Sequence, residues 1–273
     1  MIAGLLLLAG GGAAGLFGSL LGLGGGVLIV PLLTLGFGRP LREAVAVSLV
    51  CVIVTSSAAA GAYLRGRVAN LRLGAVLALF TASGALVGGL LAFVVPEQAL
   101  AGLFALLLAY VAFSMGRAGL GPSRSATATP AAADVPVEDP PVGRLDGPGY
   151  RTRRLVPASI ASLGAGVIAA LLGVGGGVIN VPTMNLLMGV PLRVATATSN
   201  LMIGVTAVAS AIIYLLRGGL DPYLAGPTAI GVFLGASVGA RVAHRIDVRV
   251  LRVLFVVVLA WTAYQMARRA LGV

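Results

Sequence analysis

Shifted by 151 residues, the chain falls on itself. Gly24-Gly25-Gly26 meets Gly175-Gly176-Gly177, Pro31 meets Pro182, Pro40 meets Pro191, Arg42 meets Arg193 and Ser48 meets Ser199. The register persists through Thr55 and Thr206, Tyr63 and Tyr214, Gly84 and Gly235, Gly88 and Gly239, and Phe104 and Phe255. In a chain with 40 glycines, chance supplies some glycine matches, but not the spaced Pro, Arg, Ser and Tyr pairs as well. A fixed internal period marks a duplicated structural unit, so any fold for this chain is built from two copies of one motif.

The unit is apolar. Eight apolar runs, near residues 2–35, 43–64, 73–95, 99–116, 155–188, 194–216, 223–243 and 250–267, alternate with short segments holding most of the arginines. Only 10% of residues are charged, whereas a soluble domain carries about 25%, so the chain reads as an integral membrane protein. Membrane barrels alternate lipid-facing and lumen-facing residues over segments of about ten; Leu73 to Val95 and Leu251 to Ala267 are apolar on every face, so the class is all-α. About 20 residues make one crossing. Six runs fit that length; the first and fifth are longer, and Gly22-Leu-Gly-Gly-Gly26 and Gly173-Val-Gly-Gly-Gly177 break them. Each half is thus expected to be a glycine-broken helix plus three transmembrane helices.

Between the halves the composition changes. Residues 117–154 hold prolines, acidic residues and a Ser/Thr/Ala run with no apolar period, the signature of a disordered polar linker. The organisation expected is a first membrane repeat over 1–116, the linker, and a second membrane repeat over 155–273. Residues 1–20 carry no charge, the first being Arg39, and have an internal counterpart; they are read as part of the mature protein rather than a signal peptide.

Arginine placement orients the halves. All 19 basic residues are arginine. If each broken run dips in and returns to its starting side, the arginines divide 14 to 5, a stronger positive-inside bias than if every run crosses once. An odd number of crossings per half then inverts the second repeat relative to the first. The resulting expectation is two inverted repeats in the cytoplasmic membrane, with a cytoplasmic linker and both termini outside.

Inside lipid, non-helical backbone is tolerated only where protein buries it or water reaches it. Glycine turns leave amides accessible, and the helix that follows directs its free N-terminal amides and its dipole at the break, an environment suited to anions. Two inverted copies put two such breaks near the midplane, the pattern of secondary-transporter sites. Candidate substrate-binding residues are therefore Gly24, Gly25, Gly26, Gly175, Gly176 and Gly177, with Pro31 and Pro182 as structural kinks. Polar residues on nearby apolar helices add Ser48, Asn180, Ser199 and Asn200. Thr196 and Thr206 share a face with Ser199 and Asn200, as Cys51 and Thr55 do with Ser48. Asn180, Thr183 and Asn185 stand where the first half has Ile29, Leu32 and Thr34, so the site is expected to lean on the second half.

Other classes are disfavoured. One cysteine excludes an internal disulfide and any multi-cysteine metal site. No HExxH motif, acidic pair or Ser/His pairing stands at depth, so no catalytic residue, metal or cofactor is expected and the chain is not read as an enzyme. The arginines lie between spans rather than forming a nucleic-acid surface. The partners expected are the lipid bilayer, a small anionic substrate and a coupling ion of undetermined identity; the oligomeric state stays open.

The duplicated stretches Gly-Leu-Gly-Gly-Gly-Val-Leu-Ile-Val-Pro (22–31) and Gly-Val-Gly-Gly-Gly-Val-Ile-Asn-Val-Pro (173–182) resemble those of the TauE/SafE sulfite exporter family. The resemblance covers both halves and implies transport of sulfite, sulfonates or related sulfur-containing anions across the bacterial cytoplasmic membrane, with export favoured; uptake and a passive anion channel are the alternatives. It carries over to Gly24–Gly26, Pro31, Gly175–Gly177 and Pro182. Ser48, Asn180, Ser199 and Asn200 rest on position alone.

Overall fold

A computed structural model of the chain describes residues 2–21, 25–65, 69–118, 152, 154–242 and 248–271. Among them no strand occurs. The first half holds α1 (Ile2–Leu21), α2 (Gly26–Pro31), a π-turn (Leu32–Gly36), α3 (Leu41–Arg65), α4 (Leu71–Val94) and α5 (Glu97–Ala118). The second holds α6 (Leu155–Leu172), α7 (Gly177–Pro182), a second π-turn (Thr183–Leu187), α8 (Leu192–Leu216), α9 (Pro222–Val242) and α10 (Val248–Leu271). Each start from α2 to α5 recurs 151 residues later, so the repeat in sequence is a repeat in structure. Most of the interval read as a linker, residues 119–151 and 153, lies outside the described residues.

Local chemistry sets the ends. The Asn70 side chain accepts from Leu73 N at 3.1 Å and caps α4. Pro31 and Pro182 lack an amide hydrogen and crowd the preceding turn, and the helix continues past each as one widened π-turn. Thr34 and Thr183 back-bond to Val30 O and Ile179 O at 2.9 and 2.8 Å.

Among the described residues, five helices carry apolar windows long enough to cross a membrane: Leu41–Ala58, Leu71–Val94, Glu97–Ser114, Leu155–Leu172 and Val194–Leu216. Helices α9 and α10, of 21 and 24 residues, match α4 and α5 in the repeat. Leu86, Leu90 and Val94 on α4, Phe233 and Leu234 on α9, and Val253, Val257 and Trp261 on α10 are exposed. A water-facing protein rarely shows apolar area on this scale; lipid accepts it. This is a multi-pass α-helical membrane protein.

The closest helix pairs are α1 with α9 and α4 with α6, which become each other when the halves are exchanged. Glycine makes both possible. A Cβ on Gly15 would strike Val232 O, and one on the equivalent Gly166 would strike Thr81 O; Gly84 and its equivalent Gly235 are closed off by Leu163 O and Gly12 O. Backbone contact of this kind replaces the hydrophobic drive that lipid removes. At the periphery the start of α5 meets the end of α10, a Cβ on Gly102 lying 3.6 Å from Ala270 Cβ. In the centre α3 crosses α8, and Ser56 Oγ donates to Asn200 O at 2.6 Å.

Candidate functional site

Each glycine break turns the chain back along its own helix. Gly25 has φ 75°, and a Cβ there would touch Ala14 O at 3.6 Å; Gly175 and Gly176 have φ 77° and 78°, with Gly176 returning beside Ala169 and Ala165. These are left-handed conformations that strain any residue with a Cβ. Leu28 N and Ile29 N then bond Gly25 O at 3.1 and 3.3 Å, and Ile179 N and Asn180 N bond Gly176 O at 3.2 and 3.0 Å. Gly26, Val27, Gly177 and Val178 precede those bonds, and theirs are the amides that a helix start leaves without an intrahelical acceptor. Gly22 to Gly24 lie outside the described residues, so the Gly24 expectation has no structural counterpart here.

The two breaks meet. A Cβ on Gly26 would lie 2.6 Å from Val52 Cγ2, 2.8 Å from Gly173 O and 3.1 Å from Ser48 Oγ. Gly175 is held between Val52 and Ile203, and Gly177 faces Ile203 and Ser199. Val52 and Ile203, like Ser48 and Ser199, are equivalent under the repeat. Helices α3 and α8 thus present the same two positions to the two breaks.

Their hydrogen bonding differs. Ser48 Oγ lies 3.1 Å from Gly26 O and 2.7 Å from Gly173 O, so its hydroxyl hydrogen is committed to backbone carbonyls of both breaks. Ser48, expected as a ligand donor, serves here as a strut. Ser199 Oγ is buried with no partner among the described residues, and so are Nδ2 and Oδ1 of Asn180. Both face the second turn: a Cβ on Gly176 would lie 3.6 Å from Asn180 Nδ2, and one on Gly177 3.6 Å from Ser199 Oγ. An unsatisfied buried polar group costs about 1–3 kcal/mol. Three such atoms lie beside one glycine turn, so uncharged hydrogen-bonding capacity is concentrated there.

The remaining polar candidates are satisfied locally. Thr206 back-bonds to Met202 O, Thr55 to Val52 O, and Asn185 Nδ2 donates to Val190 O. Asn200 is buried, and its carbonyl accepts from Ser56. Met184, Met188 and Met202 pack with Leu73, Leu77 and Val190 as core. Among the described residues no group of three His, Cys, Asp or Glu side chains stands together as a metal site.

A family model described as sulfite exporter TauE/SafE matches residues 7–266. The chain belongs to that family. A relative from Bacillus subtilis (strain 168), "Probable membrane transporter protein YunE", is 25% identical over 254 residues, 90% of each chain. No solved structure gives a significant match. Family and relative alike point to membrane transport rather than to an enzyme.

Three features escaped the sequence reading. Gly173 was recognised as part of a break, but not as the acceptor that joins the halves through Ser48. Tyr214 is fully buried and its hydroxyl donates to Ala170 O at 3.1 Å, one turn before the second break; its recurrence as Tyr63 and Tyr214 was the available signal. Ser162 Oγ is buried and unpartnered among the described residues, and it stands where the repeat has Gly11.

Proposed function

We propose that this chain is a secondary transporter of a small sulfur-containing oxyanion, sulfite or a simple sulfonate, and that it works as an exporter in the bacterial cytoplasmic membrane. The observation that carries the reading is the unpartnered polar atoms of Asn180 and Ser199 beside Gly176 and Gly177, which we take as the recess that receives the anion. The oxyanion accepts from Asn180 Nδ2, Ser199 Oγ and the first amides of the helical segment 177–187, with Gly25, Gly26, Asn200 and the strut Ser48 as the remaining candidates around it. Neutral donors compensate the anion's lost hydration without trapping it, as a site that must release its cargo requires. The family's description supports the sulfur oxyanion and the outward direction.

The repeats are inverted, with both broken runs re-entrant, the linker cytoplasmic and the termini outside. Two observations support this. The chain doubles back at Gly25 and Gly176, and the equivalent helices α5 and α10 run in opposite directions, as inversion demands and a parallel duplication forbids.

Purified protein in liposomes, with labelled sulfite and simple sulfonates under imposed ion gradients, tests the reading. Saturable counterflow is expected; absence of flux for every such anion under every gradient overturns it, and flux that never saturates makes the protein a channel.

A further inference from the structure

At the end of the bundle where α3 begins and α4 and α8 finish, two guanidinium groups converge on one ring. Arg42 Cζ lies 5.9 Å and Arg217 Cζ 5.7 Å from the centroid of Phe93. An aromatic face holds a guanidinium while leaving its edge N–H donors free and its charge intact. Arg42 spends two donors on the end of α4, Nε to Ala92 O at 3.0 Å and an Nη2 donor to Val95 O at 2.8 Å. Arg217 is exposed.

Nearby carboxylates are engaged elsewhere. Glu43 pairs with Arg39 at 3.8 Å, Glu97 Oε1 accepts from Leu41 N at 3.1 Å, and Asp221 Oδ1 accepts from Tyr223 N at 2.9 Å. Among the described residues neither guanidinium of the Phe93 pair is matched by a carboxylate. Two like charges fixed near one ring, at the edge of a low-dielectric body, make a focus of positive potential that an oxyanion relieves.

The focus connects to the second break. The Phe93 ring packs 5.2 Å from that of Tyr214, whose hydroxyl bonds Ala170 O on α6, three residues before Gly173. We infer that Arg42 and Arg217 across Phe93 form an outer-face site that holds the oxyanion as it passes between the Asn180–Ser199 recess and the outside. This rests on the transport reading above. A site of this kind raises the local concentration of the anion at the outer face and sets the half-saturating concentration for exchange from that face, leaving turnover at the recess unchanged.

A bilayer phosphate offers the same chemistry as a free oxyanion, so the test separates them. Counterflow of labelled sulfite is measured for the parent, Arg217→Gln, Arg217→Lys and Asn180→Leu in phosphatidylcholine vesicles and in vesicles with added phosphatidylglycerol. The Arg217 side chain makes no hydrogen bond among the described residues, which makes it the informative position; Arg42→Gln also uncaps α4. In both lipids Arg217→Gln is expected to raise the half-saturating concentration about three- to tenfold with maximal flux retained, Arg217→Lys to recover most of it, and added inert salt to bring the parent toward the variant. An unchanged half-saturation in Arg217→Gln, or a change confined to the phosphatidylglycerol vesicles, overturns the outer-face site. Loss of flux in Asn180→Leu with no effect at Arg217 leaves the recess standing without it, whereas a parent that carries no sulfite removes both.

Discussion

The two glycine turns are copies in sequence and differ in what they leave unsatisfied. At the first, Gly26 faces Val52 and Ser48, and Ser48 bonds the carbonyls of Gly26 and Gly173. At the second, Gly176 faces Asn180 and Gly177 faces Ile203 and Ser199, with the side chains of Ser199 and Asn180 unpartnered among the described residues. One copy has become the brace that holds the crossing together, and the other keeps the polar capacity. Position 29 explains part of the divergence: it is Ile in the first repeat where the second has Asn180. Duplication supplied two equivalent frames; the side chain at this position and the partners of the paired serines make them unequal.

That contrast is broken most severely by Asn180→Ile, which makes the second turn resemble the first. Counterflow of sulfite is expected to fall at least about tenfold, while the melting temperature in detergent holds or rises because two orphaned atoms are gone. Retention of full flux would show that the recess is not where the anion sits.

Gly176→Ala comes next. With φ 78° and Ala169 Cβ only 3.3 Å from the added methyl, destabilisation of about 1–2 kcal/mol is expected from the left-handed backbone alone, read as a lower melting temperature together with reduced flux. Gly25→Ala has the same φ problem but open space of at least 3.6 Å, so its loss is expected to be the smaller of the two.

The serine pair gives the finest distinction, through opposite signs. Ser48→Ala removes a buried bond and is expected to lower stability by about 1 kcal/mol, with half-saturation little changed. Ser199→Ala is expected to leave stability level or slightly raised and to weaken sulfite, seen as a severalfold higher half-saturating concentration. Equal effects on stability from both substitutions would erase the asymmetry.

Much of this architecture was legible beforehand. Apolar runs between arginine clusters correspond to the long helices because a helix is how a chain satisfies its amides in lipid, and Gly-Gly-Gly followed by Pro marked the turn and the kink at the same distance in both halves. Which glycines served which purpose was not legible: Gly25 and Gly176 are needed for φ, whereas Gly15, Gly84, Gly166 and Gly235 are needed because another helix's backbone passes where a Cβ would be. A residue type does not reveal whether its constraint is torsional or steric. Ser48 and Ser199 likewise read alike, since the acceptor that separates them, Gly173 O, belongs to the other half of the chain.

By itself the sequence determined that the protein is helical, membrane-embedded, duplicated and twice broken by glycine, because hydropathy, period and backbone freedom are local properties. Only the tertiary structure decided that the breaks meet, that Ser48 is spent as a strut while Ser199 and Asn180 stay open, and that Arg42 and Arg217 share one ring. Hydrogen-bond satisfaction and charge proximity depend on partners that folding brings from more than a hundred residues away.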